Sequence, residues 1–181
     1  MTKSELQLLK YPIGKFEQPE KITPEILRGY INDIEALPAR LKSAIKKLTP
    51  EMLDTDYRPG GWTVRQLVHH FGHSHLNALN RLKLALTEPD PVIRPYNEKK
   101  WVTLPDAIHA DIAPSVKLTE AIHASWVILL KQMKPRDFAR CYIHPDGNIR
   151  YRLDVATGLY AWHCNHHLAH ITGLKKRMGW K

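Results

Sequence analysis

The stretch GGWTVRQLVHHFGHSHLNALNRLKLAL, residues 60–86, decides the fold. PGGW at 59–62 reads as a turn. Thr63, with Gln66 three residues later, forms a capping box, the reciprocal pair of bonds that opens a helix. Val64, Leu67, Val68, Phe71, Leu79, Leu82 and Leu86 then return at three- and four-residue steps, the stripe of an amphipathic helix. The same segment carries His69, His70, His73 and His75. One stretch therefore predicts a long core helix and a polar cluster upon it.

Working outward, the helical period recurs. Thr23-Pro24 is a cap residue followed by proline at the first helical position. Ile26, Leu27, Tyr30, Ile31, Ile34, Leu37, Leu41, Ile45 and Leu48 make an apolar stripe behind it. Pro38 should kink this helix rather than end it, because the pattern resumes beyond it. Thr49-Pro50 opens a further short turn of helix. A third long helix should follow Pro114, with Leu118, Ala121, Ile122, Leu129 and Met133. CYIHPDGNIRYRL (141–153) reads as a β-hairpin around Pro-Asp-Gly-Asn. Asp154 is then expected to cap a fourth helix reaching Met178, with Gly179 beyond its end. The expectation is a mainly α protein, a four-helix bundle with one small hairpin before the last helix, formed by residues 1–181 as a single domain. Between the second and third helices, residues 88–113 contain Pro89, Pro91, Pro95 and Pro105 and little periodicity. Connections this long are often functional.

Composition sets the outer bounds. Hydrophobic residues at 43% and charged residues at 25% of 181 are globular values that permit a substantial core. MTKSELQLLK lacks the apolar run of a signal peptide, and no stretch approaches a membrane span. Cys141 and Cys164 make no disulfide framework, so a cytoplasmic protein with reduced thiols is expected. The net charge of +9 invites a nucleic-acid reading. However, the basic residues are scattered, and no zinc-finger pattern, RNP motif or phosphate loop accompanies them. A basic surface that draws in small anions is the simpler account.

Of eleven histidines, eight fall in two windows, 69–75 and 163–170. At roughly 100° per residue, His163, His167 and His170 share a face of the last helix with Ala156, Leu159 and Leu174. These rings should point into the bundle, with His166 at the margin and Cys164 pointing elsewhere. Each buried imidazole needs partners for two nitrogens, and protonated neighbours would repel one another. A divalent cation answers both demands. His163 and His167, at i and i+4, are spaced to converge on one ion. HxxxH alone is a weak signal, and the glutamate of the protease motif HExxH is replaced by Cys164. A third ligand must come from elsewhere, and periodicity does not choose among the four histidines of 69–75. His75 lies centrally on the apolar face, as a hydrogen-bonded core histidine would. His69 and His73 fall on the opposite side and should be solvated. His70 sits at the flank, on a polar stripe with Ser74, Asn77 and Arg81, which is either a cleft lining or a solvated edge.

GGWTVRQLVHHFGHSH (60–75) and YAWHCNHHLAHITGLKKRMGW (160–180) together resemble the YfiT-like branch of the DinB-like four-helix-bundle family. YPIGKF (11–16), DTDYRPGGWTVRQ (54–66), LTEPDPVIRPYNEKKW (86–101) and YIHPD (142–146) extend the likeness over nearly the whole chain. The resemblance implies a cytoplasmic homodimer with one divalent metal per subunit, zinc or nickel, held by three histidines. These correspond to His70, the second histidine of the HH pair, and to His163 and His167, the ends of HxxxH. It also implies a metal-dependent hydrolase, the family's provisional description, or a transferase that joins bacillithiol or a related low-molecular-weight thiol to electrophiles. Cys164 and Asn165 depart from the WHSHHH run of close relatives, at positions that are not ligands there.

Three neutral histidines would leave a coordination position for water or thiol. Such an ion makes either a nucleophile, hydroxide or thiolate. The missing glutamate tilts the expectation towards thiolate delivery. Ser74, Asn77 and Arg81 are the candidate substrate contacts, with Arg94 or Tyr96 of the long connection. His170, one turn beyond His167, is the candidate supporting partner. The competing reading is a non-catalytic metal- or ligand-binding stress protein, or one associated with nucleic acid.

Overall fold

In a computed structural model that describes residues 2–181, four long helices carry the core. A short N-terminal helix, α1 (Lys3–Lys10), precedes them. Thr23 caps α2 (Pro24–Ile45) by accepting from the Ile26 N–H, and the helix runs through Pro38. After the single turn α3 (Pro50–Leu53), Thr63 and Gln66 form the expected capping box at the start of α4 (Val64–Thr87). The 88–112 connection is not structureless, because it contains the turns α5 (Glu98–Trp101) and α6 (Pro105–Ile108). Next come α7 (Ala113–Gln132), the turn α8 (Pro135–Phe138) and the hairpin of β1 (Cys141–His144) and β2 (Ile149–Arg152). The hairpin pairs Cys141 with Arg152 and His144 with Ile149. The last helix is α9 (Leu153–Met178), and Gly179 ends it in the left-handed conformation at φ 66°. Among the described residues no helix is long and apolar enough to cross a membrane.

One detail corrects the sequence reading. Arg152, not Asp154, occupies the cap position of α9, and Asp154 lies within the first helical turn. Strand β2 runs straight into the helix, with the Leu153 N–H donating to the Arg140 carbonyl at 2.9 Å. That leaves no loop residue to serve as a side-chain cap.

Cross-helix contacts fix the bundle's directions. Tyr30 meets Gly158, Asp33 and Arg40 meet Asn165, and the Ala44 carbonyl meets Lys175, so α2 and α9 run parallel. His69 meets Ser115, Gly72 meets Leu118 and His75 meets His123, so α4 and α7 are also parallel. Across these pairs the helices oppose: Glu35 binds Lys131 while Lys42 binds Glu120, and His70 faces His163 and His167 while Arg81 reaches Tyr160. Around the bundle the order is α2, α7, α4, α9. Because α4 and α7 are parallel neighbours, the chain must return along the bundle, over roughly 36 Å for 24 residues at 1.5 Å each. That return is the physical reason for the long 88–112 connection. On its way the segment joins the hairpin edge, the Ile93 N–H donating to the Ile143 carbonyl and the Ile143 N–H to the Pro91 carbonyl, and Val102 and Ala107 are buried.

The α2–α9 contact is tight at Gly158, where a Cβ would lie 2.6 Å from Cε2 of Tyr30. Overpacking of this kind costs about 1–3 kcal/mol. Gly158→Val should therefore lower the melting temperature by roughly 3–10 °C. Tyr30→Ala in the same background should recover part of that loss. An unchanged melting temperature in the single variant would show that the ring swings away at no cost.

Candidate metal centre

The two histidine windows meet where α4 packs on α9. His70 and His167 are buried and His163 is partly exposed. One ring nitrogen from each lies within 4.8 Å of the others, and Nε2 of His70 is 3.3 Å from Nε2 of His163. Burial holds all three rings neutral: it pulls His70 down to about 3 and His163 and His167 well below the usual histidine range. Their mutual proximity pushes His163 and His167 further the same way. Half-buried Trp62, from the PGGW turn, rests against His70 and His167 with ring centroids 4.8 and 6.3 Å apart.

Two further groups could hold an ion: His75 with His123 and Cys164, and His166 with His167 and His170. In the first, both nitrogens of both histidines are already engaged. His75 contacts His163 Nδ1 at 3.1 Å through Nε2 and His123 Nε2 at 2.8 Å through Nδ1. His123 Nδ1 donates to the Ile34 carbonyl at 2.6 Å. Burial also drives the Cys164 thiol far above its usual range, which keeps it protonated. In the second group, Nε2 of His166 and of His170 bond each other at 3.1 Å. The His70–His163–His167 set differs from both in having one member, His163, that is not fully buried. The 3.3 Å spacing of His70 and His163 fits as well, because two nitrogens about 2.0–2.1 Å from a tetrahedral ion lie roughly 3.3–3.4 Å apart. The residues thus fit a divalent metal. No carboxylate belongs to any of the three groups among the described residues.

Other expectations need correction. His69 is buried, with its Nδ1 2.7 Å from the Ser115 hydroxyl, and His73 is half-buried against Trp101 and Asp106. A one-faced wheel placed both in solvent. In fact α7 approaches closely at Gly72 and the crossover turns cover the remaining flank. Cys164 does not point away from the core; it is fully buried beside His75 and His123. His166, placed at the margin by the wheel, is buried under Trp162 and near Tyr11, and Trp162 donates to the Gly14 carbonyl. The N-terminal YPIGKF segment therefore packs over the middle of α9.

His75 is the hydrogen-bonded core histidine that its position suggested. His170 bonds His166 and lies tilted against Tyr57, ring centroids 4.2 Å apart. Along the polar stripe, Ser74 is buried beside the Tyr96 phenol, and Asn77 donates to the His73 carbonyl of its own helix. Arg81 donates to the Tyr160 hydroxyl at 3.1 Å, and the Tyr160 ring lies 5.9 Å from that of His163. Arg94 is exposed. His123 escaped the sequence reading, since a single histidine on α7 carries no signal until the fold sets it beside His75.

Comparison with known proteins agrees with this architecture. The family model described as DinB superfamily matches residues 33–171. A Bacillus subtilis protein provisionally named as the metal-dependent hydrolase YfiT is 47% identical, over 95% of this chain and 97% of its own. An Oceanobacillus iheyensis protein with the same kind of provisional name is 50% identical, over 94% of this chain and 98% of its own. The solved structure of YfiT superposes with a TM-score of 0.93 at 46% identity, covering 96% of this chain and 99% of that one. It is described as having an unusual four-helix bundle topology.

Proposed function

The chain belongs to the DinB superfamily, and from that premise we propose that His70, His163 and His167 hold one divalent ion, zinc ahead of nickel, at the centre of an enzyme site. The observation that carries this reading is the convergence of three neutral imidazoles, with His70 and His163 nitrogens 3.3 Å apart. The provisional names of the relatives support it. A bound ion would supply the Lewis acidity that makes water or a thiol nucleophilic at neutral pH. The reactions considered are hydrolysis and transfer of a bacillithiol-type low-molecular-weight thiol to an electrophile. The second fits better, because a thiol ionises near 8.5 and needs no carboxylate base, and the ligand groups contain none.

The chain's own residues would bind and orient the substrate. Arg81 forms no ion pair among the described residues, and its buried Nε lacks a hydrogen-bond partner. It carries a positive charge one tyrosine away from His163, suited to the carboxylate of an anionic thiol. Ser74 and Tyr96 flank that position. A homodimer and a cytoplasmic address belong to the same proposal and rest on the family likeness.

The test offers zinc-loaded protein low-molecular-weight thiols with a bimane electrophile and, separately, activated esters. Thiol conjugation should require metal and disappear on chelation. Arg81→Met should raise KM for carboxylate-bearing thiols about tenfold, the loss of one charge-assisted contact, with metal content unchanged. Ester turnover alone would favour the hydrolase, and tight zinc binding with neither turnover would return the non-catalytic reading.

A further inference from the structure

A line of imidazoles runs from the candidate ligand His163 to the backbone of α2. His163 Nδ1 meets His75 Nε2 at 3.1 Å, His75 Nδ1 meets His123 Nε2 at 2.8 Å, and His123 Nδ1 meets the Ile34 carbonyl at 2.6 Å. His75 and His123 are 0% and 1% exposed, so their polar atoms must find partners within the protein. Buried at this depth and hydrogen-bonded only to other imidazoles and a carbonyl, both rings are neutral, because desolvation disfavours the charged form. A neutral imidazole has one N–H and one lone pair.

The carbonyl end sets the direction of the whole chain. A carbonyl can only accept, so His123 must carry its proton on Nδ1 and present a lone pair at Nε2. His75 then has to donate from Nδ1 and accept at Nε2. His163 must donate from Nδ1 in turn, which leaves the lone pair on Nε2, the atom that faces His70. The carbonyl is available for a reason legible in the sequence. Pro38 has no N–H, so the helical bond that residue 38 would make to the residue 34 carbonyl is missing. The interior proline of α2 thereby provides the acceptor that His123 uses.

We infer that Pro38, His123 and His75 form a tautomer relay that fixes His163 as an Nδ1–H imidazole with its Nε2 lone pair aimed into the metal centre. His75 and His123 are thus positioning residues. They act through His163 and touch neither ion nor substrate. Partners of this kind usually end on a carboxylate or carbonyl, and their loss weakens metal affinity. Here the relay ends on a carbonyl, so it orients the ligand without adding negative charge to the site. The inference rests on the three-histidine reading for its consequence, though not for the tautomer itself.

The decisive measurement is the two-bond 1H–15N spectrum of the metal-free, 15N-labelled protein at neutral pH, which distinguishes the two imidazole tautomers. His163, His75 and His123 should each appear as the Nδ1–H form. His163 observed as Nε2–H would overturn the relay outright, with no variant needed. His123→Phe removes the acceptor for His75 and should leave His163 as a mixture of tautomers. Its zinc affinity, measured by competition with a chromophoric chelator, should fall about 10–100-fold. Val127→Ala, a buried change on the same helix outside the relay, should alter neither the tautomer nor the affinity. An unchanged His163 tautomer in His123→Phe, or equal losses in both variants, would reduce His123 to a packing residue. Failure of the metal reading is separable, because it would appear as normal zinc binding after loss of His163 itself.

Discussion

Replacing His163 with alanine should cut the zinc recovered with the purified protein from about one ion per chain to less than roughly a tenth, because a three-histidine site that loses a protein ligand becomes a two-ligand site. His70→Ala and His167→Ala should do the same, and all three should lose turnover along with the ion. The two proposed ligands on α9, His163 and His167, are one turn apart, so neither can stand in for the other. His70 approaches from α4 and is the α4 member of the proposed set. His166→Ala and His170→Ala separate this arrangement from its neighbour, since those residues belong to the other histidine group on α9. Both should retain the metal. Elemental analysis of the five proteins, each verified as helical by circular dichroism, gives the answer. Metal loss that follows His166 and His170 while sparing His70 would move the ion to the adjacent cluster and refute the proposed site.

The frame of the proposed centre is legible as pattern, whereas the choice of His70 among four histidines comes only from the family likeness, and what stays hidden depends on three-dimensional return. The capping box at Thr63 and Gln66 announced α4, and the spacing of His163 and His167 announced a shared face. The sequence could not say that α4 would be covered on two flanks. Periodicity sorts residues into one apolar face and one wet face, and so puts His69 and His73 in water. Ser115 on α7 and Asp106 in the crossover reach them from segments more than thirty residues away. Cys164 was misplaced for a related reason: α9 is buried over much of its circumference, so a single-face rule cannot hold. Likewise the crossover looked irregular because its period changes with each short turn, although its length follows from the parallel arrangement of α4 and α7. Pro38 shows the opposite case. Its tolerance within α2 was readable, while the use made of the carbonyl it frees was not, because His123 lies 85 positions later in the numbering.

Acid should unfold the metal-free protein in a window that opens above the pH at which carboxylates normally take up protons. His70 and His170 are held down to about 3, and His123 and His166 to about 4, in each case chiefly by burial. In the unfolded chain the same rings protonate near 6.5. Below that pH the unfolded state binds more protons than the folded one, so stability falls as pH falls. The penalty is absent above about pH 7, begins near 6.5, and levels off only near the folded values of about 3–4. Each ring contributes at most roughly 1.4 kcal/mol per pH unit across that window. Four together approach about 5–6 kcal/mol per unit, against a total stability of about 5–15 kcal/mol. His75, His163 and His167 are shifted the same way and add to the slope. A cooperative loss of helical ellipticity is therefore expected between about pH 4 and 5.5 in the presence of chelator. Zinc at neutral pH should raise the melting temperature, because it binds only the folded chain. That gain should vanish on acidification as protons displace the ion from the imidazoles. His170→Phe, which keeps a ring against Tyr57 but removes one titrating group, should make the acid transition shallower. A metal-free protein that stays folded to pH 3.5 would show that these rings are not buried as neutral groups. The clustering of histidines would then have to be explained without the desolvation that makes them good ligands.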